Sequence, residues 1–276
     1  MMKQLVGNRN ESWVVIVGLI VGIVIFAYFS AGGNMGTFTI TLLSGLLRAM
    51  LLFLVAAGLS LIFGLMGVLN FAQGAYFMVG AYLAYDIQHP SSGVISFGQH
   101  IPDPGLRFVV GIIVAIAVGG ALGAILEAVL LRPLYKRHLF QLVLTFGVSL
   151  IMLEGIKAVW STTPYTWIEN IGIQTQRFVI FGATFSYYRL FIIAMGVLLI
   201  IGVALLLRRT RIGIIIRAGV EDSEMVSALG INVRSVFTLV FTLGCAMAAF
   251  GGAVAAPFLG ATLGMGNTFL LAPIAV

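Results

Sequence analysis

Between Arg48 and Asp86 the chain carries no charged residue, and from Val236 to Val276 it again carries none. Stretches that long without charge cannot cover the surface of a water-soluble domain. In lipid they can serve, because a helix of about 20 apolar residues crosses roughly 30 Å of hydrocarbon and satisfies its own backbone. Of the 276 residues, 9% are charged and 61% hydrophobic, against about 25% and roughly 45–50% in ordinary soluble domains. A soluble globular enzyme, a disordered chain and a disulfide scaffold are excluded. What remains is an all-α, polytopic helical membrane protein, residues 1–276 forming a single transmembrane domain with no need of a sheet.

The apolar runs predict about seven spans. The run 12–30, preceded by Lys3 and Arg9, is longer than the apolar core of a signal peptide and reads as a retained anchor. Residues 39–87 read as a broken helix pair, with a Gly-rich interrupted region near 58–74 marked by Gly58, Gly64, Gly67 and Gly74. One span runs from about Thr39 to Phe63, a reversal follows from Gly64 to Gln73, and a second span runs from Gly74 to Ile87. His89 to Pro104 has the composition of a loop. Further spans are expected at 106–131, 139–160 and 190–207, a mixed polar segment at 211–234, and one or more spans in 236–276. That last run stops at Val276 while still apolar, so the natural protein is expected to continue beyond it.

Basic residues give the orientation. Lys and Arg gather in loops that stay in the cytoplasm, so the clusters at 132–137 and 208–217 are expected inside and the loops 88–105 and 161–188 outside. Counting back through the spans puts the amino terminus in the cytoplasm, in agreement with Lys3 and Arg9. The net charge of +6 thus belongs to membrane topology. No basic run is long enough to track a phosphate backbone, so the bilayer and not nucleic acid is the expected partner.

Catalysis finds no support. Cys245, the only cysteine, lies in an apolar run, and His89, His100 and His138 sit in or beside loops without an H-E-x-x-H spacing. No G-x-x-x-x-G-K-[ST] string occurs, so ATP is not bound here in that way. We expect no catalytic residue, no metal site and no cofactor in this chain.

Two segments carry more. Arg217 to Asn232 is the most polar stretch of the second half, with Glu221, Asp222 and Glu224 near the start of a possible amphipathic helix over Val220–Leu229. Negative charge suits a helix start, Val220, Met225, Ala228 and Leu229 share a face, and Gly230 and Asn232 are plausible stops. Such a helix either caps the bundle as an ordinary surface loop or inserts into a groove on a soluble partner. In the Gly-rich reversal, Asn70 and Gln73 offer amides beside freed backbone groups. Interrupted helices near the midplane are where transporters often contact solute, while amides and small residues also serve simply as glue between helices.

The spacing from Glu224 to Gly230 looks like a relaxed "EAA" loop of ABC importer permeases, with Met225 and Val226 where two alanines would stand. The string Gly58 to Tyr82, GLSLIFGLMGVLNFAQGAYFMVGAY, closely resembles the signature of LivH-type permease subunits of the branched-chain amino-acid ABC importer family. The resemblance extends from about Leu43 to the end, with Gln73 where many relatives have His, and with the amino-terminal span and Arg48 less typical. It implies a bacterial inner-membrane subunit that forms the pathway for branched-chain amino acids, beside a second, LivM-type permease subunit. It also implies two ATP-binding subunits, which hold ATP and Mg, and an extracytoplasmic substrate-binding protein meeting the outer loops. Arg217, Glu221, Asp222, Glu224, Ala228, Gly230 and Asn232 would then form the coupling helix, near 220–230, that docks the ATPase. Gly64, Gly67, Asn70, Gln73, Gly74, Thr145 and Ser149 would line the pathway or fix the helix break. Relatives that carry urea, amides or nucleosides leave the solute open, and a stand-alone channel, secondary transporter or structural scaffold are the rivals.

The remaining polar residues carry smaller expectations. Glu127 pairs with Arg132 or snorkels, Glu154 and Lys157 form a local i,i+3 pair, and Gly119 and Gly123 allow close helix contact. Arg48 is either functional by virtue of its apolar surroundings or a headgroup-boundary residue.

Overall fold

The structure is a computed structural model that describes residues 9–91, 93–94, 97–135, 137–167, 172–221, 223–230 and 232–275. At 9–16, 19–20, 97, 220–221, 223–224 and 271–275 it describes the backbone alone.

The chain is a helical bundle built around a short, fully enclosed helix. The helices are α1 (Arg9–Ser30), α2 (Met35–Met66), α3 (Gln73–Gln88), α4 (Pro104–Ile125), α5 (His138–Trp160), the one-turn α6 (Gly172–Thr175), α7 (Tyr187–Arg209), α8 (Arg211–Glu221), α9 (Ser223–Ala228), α10 (Val233–Leu259) and α11 (Met265–Ala275). A π-helical turn (Leu126–Leu131) and a 3-10 turn (Arg132–Leu134) extend α4. Among the described residues, five helices are long and apolar enough to cross a membrane: α2, α4 with its extension, α5, α7 and α10. The protein is therefore a polytopic helical membrane protein.

Two of the expected spans come out differently. The run 74–87 gives α3, whose 16 residues extend about 24 Å at 1.5 Å per residue, too short for a crossing. The charge-free run from 236 onward divides into α10 and the 11-residue α11. A sheet, which the apolar composition did not call for, is also present. Strands β1 (Arg177–Ile180) and β2 (Ala183–Ser186) pair antiparallel through a turn with positive φ at Phe181 and Gly182, the turn geometry that matches strand twist. This hairpin packs on the start of α2, where the Gly36 backbone lies against Phe181 and Ala183.

Boundaries follow local chemistry. Asn34 caps α2 by accepting from Gly36 N at 2.8 Å, and Asp103 caps α4 by accepting from Leu106 N at 2.8 Å with Pro104 at the first position. Gly260, at φ 75, ends α10. The next residue, Ala261, exchanges two backbone hydrogen bonds with Tyr165, which ties the loop after α5 to the α10–α11 turn.

Packing obeys the physics of lipid and not of water. The outward faces of α4, α5 and α7 expose large apolar side chains such as Ile113, Ile125, Leu139, Ile151, Leu198 and Ile201. Lipid tails are as apolar as these residues, so helix association depends on close approach and hydrogen bonding. The closest helix contacts are accordingly made through small residues. Ala81, Ala84, Ala115, Ala249 and Ala253 are buried, and Gly80 and Gly252 let the α3 and α10 backbones touch. Gly119 and Gly123 meet Ala249 and Cys245 of α10, the close contact expected of that spacing.

Polar groups at the α8–α9 end are more tightly held than the sequence suggests. Glu127 does not snorkel: it is fully buried in the π turn, accepts a hydrogen bond from Tyr135 and lies 3.5 Å from Arg132 Nε. Burial, reinforced by that carboxylate, holds the Tyr135 phenol well above its ordinary range. Arg132 in turn donates to Thr238 of α10 at 2.7 Å. Glu154 and Lys157 form the exposed i,i+3 pair, at 2.6 Å.

Candidate functional site

The helix break lies at mid-depth of the bundle. Helix α2 continues through Gly58 and Gly64 and ends only at Gly67, which adopts φ 64 and donates its N–H to Phe63 O. Only 67–72 are non-helical, so the interrupted region is shorter than the glycines at 58–74 suggested. A glycine in a membrane helix need not break it; Gly58 serves instead to admit the Gly244 carbonyl of α10. Gly64 opens onto an apolar groove of about 440 Å³ between α2, α7 and α8.

From Gly67 the chain turns back into the bundle, and Asn70 and Gln73, both fully buried, arrive beside Gly244 and Cys245. Those residues are near the centre of the 27-residue α10, so α3 starts inside the bundle and not at its surface.

A half-helix that begins there must satisfy its backbone without water. Asn70 does most of this: its Oδ1 accepts from Ala72 N at 3.1 Å, its backbone carbonyl accepts from Gln73 N at 3.1 Å, and its Nδ2 donates to Gln73 Oε1 at 3.2 Å. Gln73 Nε2 then donates to Gly244 O at 2.9 Å. From α5, Thr145 Oγ1 accepts from Phe71 N at 3.2 Å and donates to its own helix at Leu142 O, 3.1 Å away, with Leu69 O at 3.4 Å. The structure therefore brings Gly67, Asn70, Gln73 and Thr145 together. Gly74, the residue after Gln73, lies against the Gly266 backbone of α11.

Ser149 donates to Phe146 O of its own helix at 2.6 Å. It also lines a cavity of about 110 Å³ between α3, α5 and α11, shared with Phe71, Met78 and Asn267. Asn267 escaped the sequence reading; an amide alone in a charge-free run was its only signal. At the other end of α3 the bundle is shut by packed aromatic rings. Asp86, fully buried, accepts from Trp160 Nε1 at 3.1 Å and from Val94 N. Gln88 Oε1 accepts from Trp167 Nε1 at 2.5 Å, and the Tyr85 and His89 rings stack at 4.2 Å. The sequence had treated Asp86 as the edge of a charge-free run and His89 as a loop residue, when both are interior.

Replacing Asn70 with leucine tests the role of the amide. The size is nearly kept, but the Ala72 N–H and Gln73 amide lose their partner, at about 1–3 kcal/mol for each buried group left unsatisfied. The expected result is a melting temperature in detergent lowered by roughly 5 °C or more. An unchanged melting curve would show that the break is held by packing alone.

The polar segment 211–234 forms two helices and not the single helix expected over 220–229: α8 ends at Glu221 and α9 begins at Ser223. Asp222 and the side chains of Glu221 and Glu224 lie outside the described residues. Arg217 is exposed on α8 and borders the 440 Å³ groove. On α9 and just beyond it, Val226 is turned inward while Met225, Ala228 and Leu229 are exposed. Gly230, at φ 80 and with open space around it, ends the turn by donating to Ser227 O at 3.0 Å. Asn232 is not a stop for α9; it caps α10, accepting from Ser235 N at 3.3 Å.

The sequence profile of the family described as branched-chain amino acid transport system / permease component matches residues 41–276. The permease BraD of Pseudomonas aeruginosa, named for high-affinity branched-chain amino acid transport, is 28% identical over 223 residues, 78% of this chain and 68% of the relative. LivH of Escherichia coli K12, named likewise, is 30% identical over 222 residues, 75% of this chain and 67% of the relative. A probable LivH of Methanocaldococcus jannaschii is 32% identical over 219 residues, 76% of this chain and 63% of the relative. No solved structure matches. With its profile matched over most of its length, the chain belongs to the LivH-type family of branched-chain amino acid transport permeases.

Proposed function

We propose that this chain is the membrane subunit that forms the translocation pathway of an ATP-driven importer, with branched-chain amino acids as its solutes. The observation that carries the reading is family membership over 41–276, with relatives named for that transport. The pathway follows the half-helix α3 past Asn70, Gln73, Thr145 and Ser149. In the present conformation the cavity there measures about 110 Å³, and the aromatic rings around Asp86 pack across one end. Transport requires α3, α5 and α11 to separate.

Energy comes from a partner. The exposed Met225, Ala228 and Leu229 give α9 an apolar face for a cleft in an ATP-binding subunit, which also holds ATP and Mg. Two such subunits, a LivM-type second permease and an extracytoplasmic binding protein complete the importer. The α8–α9 end and the amino terminus face the cytoplasm of a bacterial inner membrane, and the 177–186 hairpin lies outside.

The test is uptake into proteoliposomes holding the full complex. Leucine, isoleucine and valine should accumulate only with ATP on the side of the ATPase subunits. Preferential uptake of urea, amides or nucleosides would move the solute assignment, and ATP-independent flux through the chain alone would reject the importer.

A further inference from the structure

Arg48 is an exposed arginine within the long apolar helix α2. It lies on α2 beside a cleft of about 430 Å³ between α2, α7, α10 and α11, and Arg189 of α7 lines the same cleft. The rest of the wall is mostly apolar, with Leu47, Leu51, Phe258 and Phe269. Among the described residues neither arginine has a hydrogen bond or ion pair. Arg189 rests on the rings of Phe185 and Phe258, at 5.6 and 5.0 Å from their centroids.

Three physical facts make this an anion site. Two guanidiniums border one cleft whose lining includes no carboxylate, so its field is positive and uncompensated. Arg189 stands in the first turn of α7, where the helix dipole already disfavours a cation and favours an anion. Guanidinium also binds phosphate through paired donors, better than a point charge does.

Depth and shape then narrow the ligand. Helix α10 has 27 residues, about 40 Å, against roughly 30 Å of hydrocarbon, so Phe258 and Leu259 at its end stand near the headgroup boundary. Arg48 and Arg189 line this cleft together with Phe258 and Leu259, so both border that region. An amino acid would bring an ammonium group to two arginines with no acid to receive it. A free inorganic anion would leave the apolar wall unused. We propose that this cleft binds an anionic phospholipid, its phosphate on Arg48 and Arg189 and its first acyl carbons on Leu51 and Phe269. The inference requires only that the bundle sits in a bilayer, and is independent of which solute is carried.

The experiment is native mass spectrometry of the full chain released from nanodiscs of phosphatidylglycerol and phosphatidylcholine with identical acyl chains. Wild type should retain phosphatidylglycerol selectively, and the Arg48→Gln/Arg189→Gln pair should lose that selectivity by roughly tenfold or more, since each basic group near an anionic membrane surface contributes about fivefold. The Arg48→Lys/Arg189→Lys pair should retain part of it. If the double variant does not fold, Arg48→Gln alone decides, because that exposed side chain has no protein partner to lose. Equal retention of phosphatidylglycerol by wild type and variant overturns the proposal. Retention unchanged while the KM for leucine uptake rises also overturns it, and assigns the arginines to the solute's carboxylate.

Discussion

Replacing Gly252 with valine is expected to abolish recovery of monodisperse protein. A Cβ at this position of α10 would overlap the Phe77 carbonyl group, with its carbon at 2.7 Å, and would meet Ala81 N at 3.1 Å. These are backbone atoms of α3 and have no rotamer to move into. The neighbouring contact is the same in reverse: a Cβ at Gly80 would overlap the Ala249 backbone of α10. All the residues of α3 are buried, so it cannot shift away from α10 without entering α4, α5 or α11. Overpacking a core commonly costs about 1–3 kcal/mol where side chains can adjust; here they cannot, and the cost should exceed that range. In lipid no hydrophobic force compensates, because contact between helices is itself the source of stability. The control is Gly147→Val on α5, where nothing lies within 4 Å of the added carbon. Size-exclusion chromatography in mild detergent, followed by a melting curve, reads both. A Gly252→Val protein that is monodisperse and melts with wild type would show that α3 is not packed against α10 in this way.

That crossing also marks the limit of what the sequence could say. Apolar runs located α2, α4, α5 and α7 and the start of α10 to within a few residues, because an apolar stretch of that length has no alternative to a membrane helix, whereas nothing in the run from 236 marked the end of α10 at Leu259. Burial was harder. In a chain this apolar, Ile151 on the lipid face of α5 and Val254 in the interior look alike, and hydropathy cannot separate them. The distinguishing signal is small residues, which the Gly119/Gly123 spacing caught and the Gly80/Gly252 pair, on different helices, could not reveal. The break was legible through Asn70 and Gln73, yet its start was set too early: whether a glycine ends a helix depends on what packs against it, and Gly58 and Gly64 stay helical while Gly67 turns left-handed. The depth at which α3 begins, and the burial of Asp86 and His89, arise from long-range contacts with α10, α5 and the loop after it. No local pattern encodes these.

Gly230→Val should uncouple the chain from its ATPase while leaving the bundle intact. Gly230 has φ 80, and nothing lies within 4 Å of a Cβ built there, so the obstacle is the backbone alone. A β-branched residue in that region is a genuine outlier, at a cost of about 1–2 kcal/mol. The turn will relax instead, since Leu229 and Gly230 are exposed and no core holds them. Relaxation moves the end of α9, and with it Met225 and Leu229, the exposed apolar side chains on which the proposed docking depends. A loss of 1–2 kcal/mol in orientation corresponds to about 5- to 30-fold in affinity for the ATP-binding subunit. Substitutions should follow conformational preference and not size: Gly230→Asn, which tolerates left-handed backbone, should nearly match wild type, Gly230→Ala should fall between, and Gly230→Val should be worst. The melting temperature should be the same throughout. Co-purification of the ATPase and solute-stimulated ATP hydrolysis in proteoliposomes measure the series. If valine leaves both unchanged, α9 is a surface turn that caps the bundle, and the ATPase must engage another part of the α8–α9 end; if all four proteins couple poorly but fold well, the defect lies in the assembly and not in this turn.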